Sequence, residues 1–194
     1  NNIMGTIKTT NIQSISGSGT VTLGTSGETF TVPSGVTVNM SSATQTGVGG
    51  ENTPAFFAKL SGATVISNDA YTKIACNTEV YDTAGNYDNS SNYRFTPTTA
   101  GEYYVYGTVY ITSPTDRLQY VDAYIYKNGS AALDSGVSTY NSNYLNSAGC
   151  FVGGNVTFNG SSDYIELYGV AGGASTVSVS ANISNFGAYK IIGA

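Results

Sequence analysis

Oxygen-bearing side chains are concentrated between Tyr81 and Tyr93. Asp82, Asn86 and Asp88 lie close together in this stretch, and carboxylate and amide oxygens are the ligands that Ca²⁺ prefers. Their spacing differs from that of an EF-hand loop, and Asp or Asn in a turn also hydrogen-bonds its own backbone. Both explanations stay open, and calcium at Asp82, Asn86 and Asp88 is the one cofactor that the sequence suggests.

The residue types that usually carry catalysis are missing or lack support. The sequence contains no His, which removes the commonest general base and metal ligand. Ser and Thr are abundant, but no base accompanies them in a nucleophile motif. Carboxylate pairs such as Asp82 with Asp88, or Asp163 with Glu166, remain conceivable, although Asp in a turn usually binds its own backbone. The sequence therefore predicts a protein that is not an enzyme.

Tyrosine is the other prominent side chain, with 16 in the chain. Tyr suits surfaces that are half apolar and half wet. One interpretation places most of these rings in a subunit interface, and the other places some on the outer surface, stacked on sugars. Two loops have the Tyr, Ser and Asn composition of recognition loops. Their candidate receptor-binding residues are Tyr87, Tyr93, Tyr140, Asn141, Asn143 and Tyr144.

Strands rather than helices must position these residues, because the patterns alternate with a period of two. From Glu102 to Tyr110, one set of side chains points to each face of the strand. Asn128-Gly129 is a strong two-residue hairpin signal. Short strands with turns at this spacing indicate an all-β sandwich or barrel. Further strands are predicted at residues 71–78, 118–127, 147–158, 163–170, 176–183 and 186–192.

Residues 1–52 differ from the rest of the chain. The first 50 contain no Tyr, and their short alternating runs are separated by Gly and Ser. So short a segment buries too little surface alone, whereas stacking onto copies of itself would bury its apolar faces. We therefore predict a β-rich stem of three chains over 1–52 and a head over 53–194, with a flexible linker as the alternative for the stem. The predicted axis residues are Val21, Leu23, Phe30, Val32, Val36 and Val38.

Charge and hydropathy exclude several partners. The net charge is −5 with seven Lys and Arg, which provides no electrostatic footprint for nucleic acid. No apolar run approaches the roughly 18 residues of a spanning helix, no basic amphipathic segment is present, and the first residues lack a signal-peptide pattern. We therefore expect neither membrane insertion nor secretory export.

Cys76 and Cys150 are predicted to be buried small side chains rather than a disulfide.

The order of parts in the middle of the chain resembles the globular head of complement component C1q. It runs Gly-Asn-Tyr-Asp at 85–88, Arg-Phe-Thr-Pro at 94–97 and Gly-Glu-Tyr-Tyr-Val-Tyr at 101–106. Other matching segments follow in the family's order over about residues 54–194, although Ser161-Ser162-Asp163 departs from the family's Gly-Asp. They are Pro54–Ala58, Lys73–Asn77, Tyr124–Gly129, Ser162–Leu167 and Asn185–Ile192.

The resemblance implies the trimeric jelly roll that this family shares with tumour necrosis factor, and some of its members hold calcium near the trimer axis. A Gly/Ser/Thr stem joined to such a head resembles a bacteriophage fibre or spike. The expectation is a homotrimer on the virion surface whose stem contacts other virion proteins and whose head attaches to a host glycan or protein. The alternatives are a structural capsid or tail decoration and a bacterial extracellular C1q-like adhesin, with a carbohydrate-cleaving spike disfavoured.

Overall fold

The computed structural model describes residues 26–38, 52–114, 117–139, 144–173 and 176–192. The chain divides into two compact units, residues 1–46 and 47–194.

Within the first unit, the described residues 26–38 contain two turns and no strand. Four of the predicted axis residues are exposed, and the stem stays a prediction; Val21 and Leu23 lie outside the described residues. The exposed four are Phe30, Val32, Val36 and Val38.

The second unit is all-β, as predicted: the described residues contain thirteen strands and no helix that is long and apolar enough to span a membrane. The strands are β1 Ala55–Lys59, β2 Thr64–Ser67, β3 Thr72–Lys73, β4 Thr78–Asp82, β5 Tyr87–Asp88, β6 Arg94–Phe95, β7 Gly101–Thr112, β8 Tyr120–Lys127, β9 Ser130–Ser138, β10 Ser147–Phe158, β11 Ile165–Gly172, β12 Thr176–Val179 and β13 Asn185–Lys190.

These strands form two antiparallel sheets. The first has the order β2-β12-β7-β13-β1-β4, with β10 paired along the whole length of β7. The second has the order β5-β6-β11-β8-β9, with β3 paired to β11. Side chains from the inner faces of both sheets form one hydrophobic core, so each sheet keeps an outer face of its own.

Strand β7 confirms the alternation predicted from its sequence. Its inward side chains Tyr103, Val105, Val109 and Ile111 are fully buried. Gly107 falls in the same inward set, where a Cβ would lie 2.6 Å from a methyl carbon of Leu167. A glycine is needed there because the two sheets approach closely at this point.

An aromatic cluster closes the core where the head begins. The ring of Phe56 stacks on Tyr87 at 4.4 Å and on Phe95 at 4.6 Å, and it meets the edge of Phe186 at 5.0 Å. The Tyr87 hydroxyl donates to the Cys76 carbonyl at 2.8 Å, so its polar end is satisfied inside the core. Aromatic pairs in this geometry stabilise a core beyond their buried area.

Both cysteines are buried and free, as predicted. Burial raises the pKa of the Cys76 thiol to about 12, because the apolar surroundings disfavour the thiolate. Cys150 donates through its sulfur to the carbonyl of Ser135 at 3.1 Å. Cys76 therefore packs as a small apolar side chain rather than as a reactive nucleophile.

The strand predicted over residues 71–78 is wrong in its extent. Only Thr72–Lys73 is a strand, paired with β11 in the second sheet, and β4 then begins at Thr78 in the first sheet. Between them the chain crosses the sandwich and buries Ile74 and Cys76. A crossing of this kind keeps apolar residues at alternate positions, which is why its sequence has the pattern of a strand.

We expect Phe56→Ala to lower the free energy of unfolding by about 3–5 kcal/mol, because it leaves a cavity among three aromatic neighbours. Urea unfolding followed by tyrosine fluorescence would measure the change. Val80→Ala is the control, since Val80 is 55 % exposed on an edge strand, and it should change stability by less than about 0.5 kcal/mol. Equal losses in the two variants would contradict this account of the core.

Candidate functional site

The three oxygen-bearing residues predicted to bind calcium are turn residues that hold their own loop. Asp82 accepts hydrogen bonds from the backbone N–H groups of Ala84 at 3.1 Å and Tyr87 at 2.7 Å. The side-chain oxygen of Asn86 accepts from the N–H of Thr98 at 3.2 Å. These bonds fix the entrance and the exit of the loop.

Asp88 is the most heavily used of the three. It accepts from the backbone N–H groups of Ser90, Ser91 and Asn92 at 2.9–3.0 Å, and from the Asn92 amide at 2.8 Å. These donors hold the pKa of Asp88 well below its usual range, because they stabilise the ionised carboxylate.

The oxygen atoms of this loop are not free to act as metal ligands. The oxygens that would coordinate calcium already accept hydrogen bonds from the loop, so a metal would have to replace those bonds. Within the part of the chain that the structure describes, no group of three or more His, Cys, Asp or Glu side chains could hold a metal ion. Calcium at Asp82, Asn86 and Asp88 stays a prediction that the folded loop does not require.

The predicted receptor-binding residues fall in different places. The prediction that Tyr87 lies on a receptor-binding surface is wrong. Tyr87 is only 6 % exposed, and its ring stacks on Phe56 in the core because β5 directs it inward. Tyr93 is half-buried, with a φ of 51°. Tyr144 is exposed. Tyr140, Asn141 and Asn143 lie outside the described residues.

The exposed Tyr144 lies at the end of the sandwich opposite Pro54. Strand register places Ala55 and Tyr104 on either side of Tyr189, so the head begins beside the first half of β7. The far end of β7 reaches Ser113, whose N–H donates to the Asn146 carbonyl at 2.7 Å.

A continuous group of aromatic side chains, which we call the aromatic face, covers the outer side of the first sheet. Phe57 lies 6.3 Å from both Tyr81 and Tyr106, and Tyr104 lies 6.2 Å from Tyr106 and 5.7 Å from Tyr189. Phe151 on β10 is 54 % exposed, and its ring lies beside the Tyr104 hydroxyl above Gly153. The aromatic face consists of Phe57, Tyr81, Tyr104, Tyr106, Phe151 and Tyr189.

Glycines on the neighbouring strands allow these rings to lie against the sheet. Gly153 and Gly187 flank Tyr106 in the register of β10, β7 and β13. A Cβ at Gly187 would lie 2.5 Å from the Tyr106 ring, and one at Gly153 would lie 3.0 Å from both Phe151 and the Tyr104 hydroxyl. The aromatic face is therefore built from rings laid over glycines.

The aromatic face is partly desolvated, and a lysine lies against one of its rings. Lys59 lies over the Phe57 ring at 5.7 Å, at the geometry of a cation–π contact. Burial raises the pKa of Tyr106 to about 12, with the neighbouring Tyr81 side chain as a further cause. Phe57 and Phe151 are not among the residues predicted from sequence, although the period of two along their strands could have indicated them.

Comparisons with known proteins identify the fold. No protein-family model and no curated protein matches the chain. The structure of Eiger TNF from S. frugiperda is similar with a TM-score of 0.52 and 15 % identity, over 71 % of this chain and 93 % of that one. Murine APRIL at pH 5.0 is similar with a TM-score of 0.51 and 14 % identity, over 71 % of this chain and 99 % of that one.

The chain therefore has the TNF/C1q-like jelly-roll fold that its sequence resemblance implied. Identities of 14–15 % support the fold alone, so the role of the aromatic face must be argued from its own residues.

We expect Asp88→Ala to destabilise the head by about 1 kcal/mol at neutral pH, equally with and without added calcium, because its loss leaves loop N–H groups unpaired. A carboxyl whose pKa is lowered by folding stabilises the protein fully at pH values above the ordinary Asp pKa. This stabilisation is lost as the pH falls through the lower pKa of the folded state. The gap between the variant and the unchanged protein should therefore narrow in acid. Thermal melts over pH and calcium test this, with the exposed Glu79→Ala as control; a loss seen only with calcium would indicate a metal site.

Proposed function

We propose that this chain is a non-enzymatic binding protein whose jelly-roll head assembles into a homotrimer through the aromatic face. The observation that supports this proposal is the exposure of the aromatic face. Tyr81 and Phe151 are 44 % and 54 % exposed in the single chain, among rings that touch one another. Contiguous exposed apolar patches mark interaction sites, and Tyr and Phe are enriched in interface cores.

A second copy of the chain suits this surface better than a charged partner does. Lys59 contacts the Phe57 ring, and the side chains of the aromatic face themselves offer only phenolic hydroxyls and apolar ring carbons. Phenolic hydroxyls of neighbouring copies can hydrogen-bond one another when water leaves, and a face that meets copies of itself requires no opposite charge. The TNF-like fold of the head is consistent with such an assembly.

We further propose that the trimer is the head of a bacteriophage fibre or spike on the virion surface, and that it attaches the particle to a glycan or protein of the host cell. The support is the Gly/Ser/Thr-rich segment before the head, whose alternating apolar residues suit a three-chain stem that contacts other virion proteins. Several weak sites on one trimer would give strong adhesion through avidity. The alternative functions are a virion decoration that binds no receptor and a bacterial extracellular adhesin.

The trimer is tested first by light scattering on the full chain, which should give three times the 20.1 kDa of one chain. Phe151→Glu should reduce this mass or lower the melting temperature by several degrees, because it places three carboxylates in an apolar interface. Ala132→Glu, at an exposed position of the second sheet, is the control. A monomer at micromolar concentration, or a Phe151→Glu protein that matches the control, would contradict the interface.

Attachment is tested by adsorption of particles that carry this protein. Free protein should block adsorption, and Tyr140→Ala combined with Tyr144→Ala should weaken the block while leaving the trimer mass and melting temperature unchanged. Dissociation of the double variant would place those tyrosines in the interface. Normal adsorption of particles that lack the protein would indicate a decoration, and cleavage of surface polysaccharide would indicate an enzyme.

A further inference from the structure

A second group of tyrosines, which we call the tyrosine platform, covers the outer side of the other sheet. The rings of Tyr126 and Tyr168 stack at 4.3 Å, Tyr124 meets Tyr126 edge-on at 6.1 Å, and Tyr71 meets Tyr124 at 5.2 Å. Tyr120 continues the line on β8, and its hydroxyl donates to Asp69. The tyrosine platform consists of Tyr71, Tyr120, Tyr124, Tyr126 and Tyr168.

The chemistry of the platform differs from that of the aromatic face. The outward positions of β8 are Tyr120, Asp122, Tyr124 and Tyr126, and none is aliphatic. Across β8 and β9, Tyr124 lies opposite Asp134, and Asp122 lies opposite Gly136, where a Cβ would collide with the Asp122 carboxylate. Ring faces and carboxylate oxygens therefore alternate along this surface.

Those carboxylates are acceptors without a matching cation. The ion pairs among the described residues involve Glu166, held by Lys73 at 2.7 Å, and Asp163, held by Lys127 at 2.9 Å. None of these pairs reaches Asp122 or Asp134. Burial raises the pKa of the Asp122 carboxyl, and the charge of Asp134 raises it further. No ion pair of the described residues offsets either effect.

The platform stays accessible when the aromatic face is covered. The two surfaces lie on the outer sides of different sheets, and the shared core lies between them. A trimer formed through the first sheet therefore leaves the second sheet facing outward. From Tyr120 to Tyr126 the platform extends about 20 Å along β8, which suits an extended ligand better than a single small molecule.

We propose that the tyrosine platform binds a neutral oligosaccharide chain, which would add a receptor site on the second sheet to the attachment function proposed above. Sugar rings offer C–H faces that stack on Tyr, and hydroxyls that donate to Asp122, Asp134 and the phenolic oxygens. The surplus of acceptors demands a ligand rich in donors, and the uncompensated carboxylates repel an anionic glycan. Half-wet tyrosines with polar neighbours also match the composition of adaptable recognition surfaces.

The test uses the full chain on a printed array of neutral, amino-bearing and anionic oligosaccharides, with oligolysine peptides as a separate probe. We expect binding to neutral glycans alone, with dissociation constants measured by calorimetry on the strongest hit. Tyr124→Ala should weaken that binding about tenfold or more, and Tyr124→Phe should weaken it less because the ring remains. Val65→Ala is the control, since it truncates an exposed side chain on an edge strand of the other sheet.

Each outcome separates the platform from the attachment function. Binding that Tyr144→Ala abolishes and Tyr124→Ala spares would overturn the platform and favour a site at Tyr144. Preference for anionic glycans, or binding of oligolysine that Asp122→Asn removes, would overturn the neutral-sugar assignment. Array binding by a protein that fails to block adsorption would keep the platform and reject attachment, whereas blocking without glycan binding would do the reverse. Unchanged melting temperatures confirm that each variant is folded.

Discussion

The structure depends on the period of two along β7. This strand lies between β10 on one side and β12 and β13 on the other, so both edges are paired and its side chains have only two directions available. One set forms the centre of the core, with Val105 and Val109 fully buried. The other set contributes Tyr104 and Tyr106 to the aromatic face. A shift of one residue in register would exchange these two sets, and both the core and the aromatic face would be lost.

The alternation along β7 decides which face a side chain occupies, and glycines on this and the neighbouring strands decide how closely other groups can approach that face. Inside the sandwich, Gly107 admits the Leu167 side chain and lets the sheets approach. On the outside, Gly153 and Gly187 make room for rings that lie along the sheet rather than away from it. Rings in that position stay close to their neighbours at about 6 Å, which makes the aromatic face one surface instead of separate exposed side chains.

Much of the head could be predicted from sequence because its strongest signals are local. The alternation of β7 and the Asn128-Gly129 turn each depend on a few adjacent residues, and the structure contains both. The broken strand after Lys73 could not be predicted, because a crossing between sheets and a continuous strand share the same alternation. Tyr87 was misplaced for a related reason: its Tyr, Asn and Asp neighbours suggest a surface loop, while contacts with Phe56 and Phe186 from distant strands bury it.

The two outer faces could not be distinguished from sequence at all, since both are rich in tyrosine. Their neighbours on adjacent strands separate them. Phe57, Phe151 and two glycines surround the tyrosines of the first sheet, so removing water there costs few hydrogen bonds. Asp122 and Asp134 lie beside Tyr124 on the second sheet, and a dry protein interface would leave these carboxylates buried without a partner, at a large cost in free energy. A ligand that replaces water with its own hydroxyls avoids that cost. The first surface therefore suits permanent burial against copies of the chain, and the second suits reversible contact with a wet, donor-rich partner.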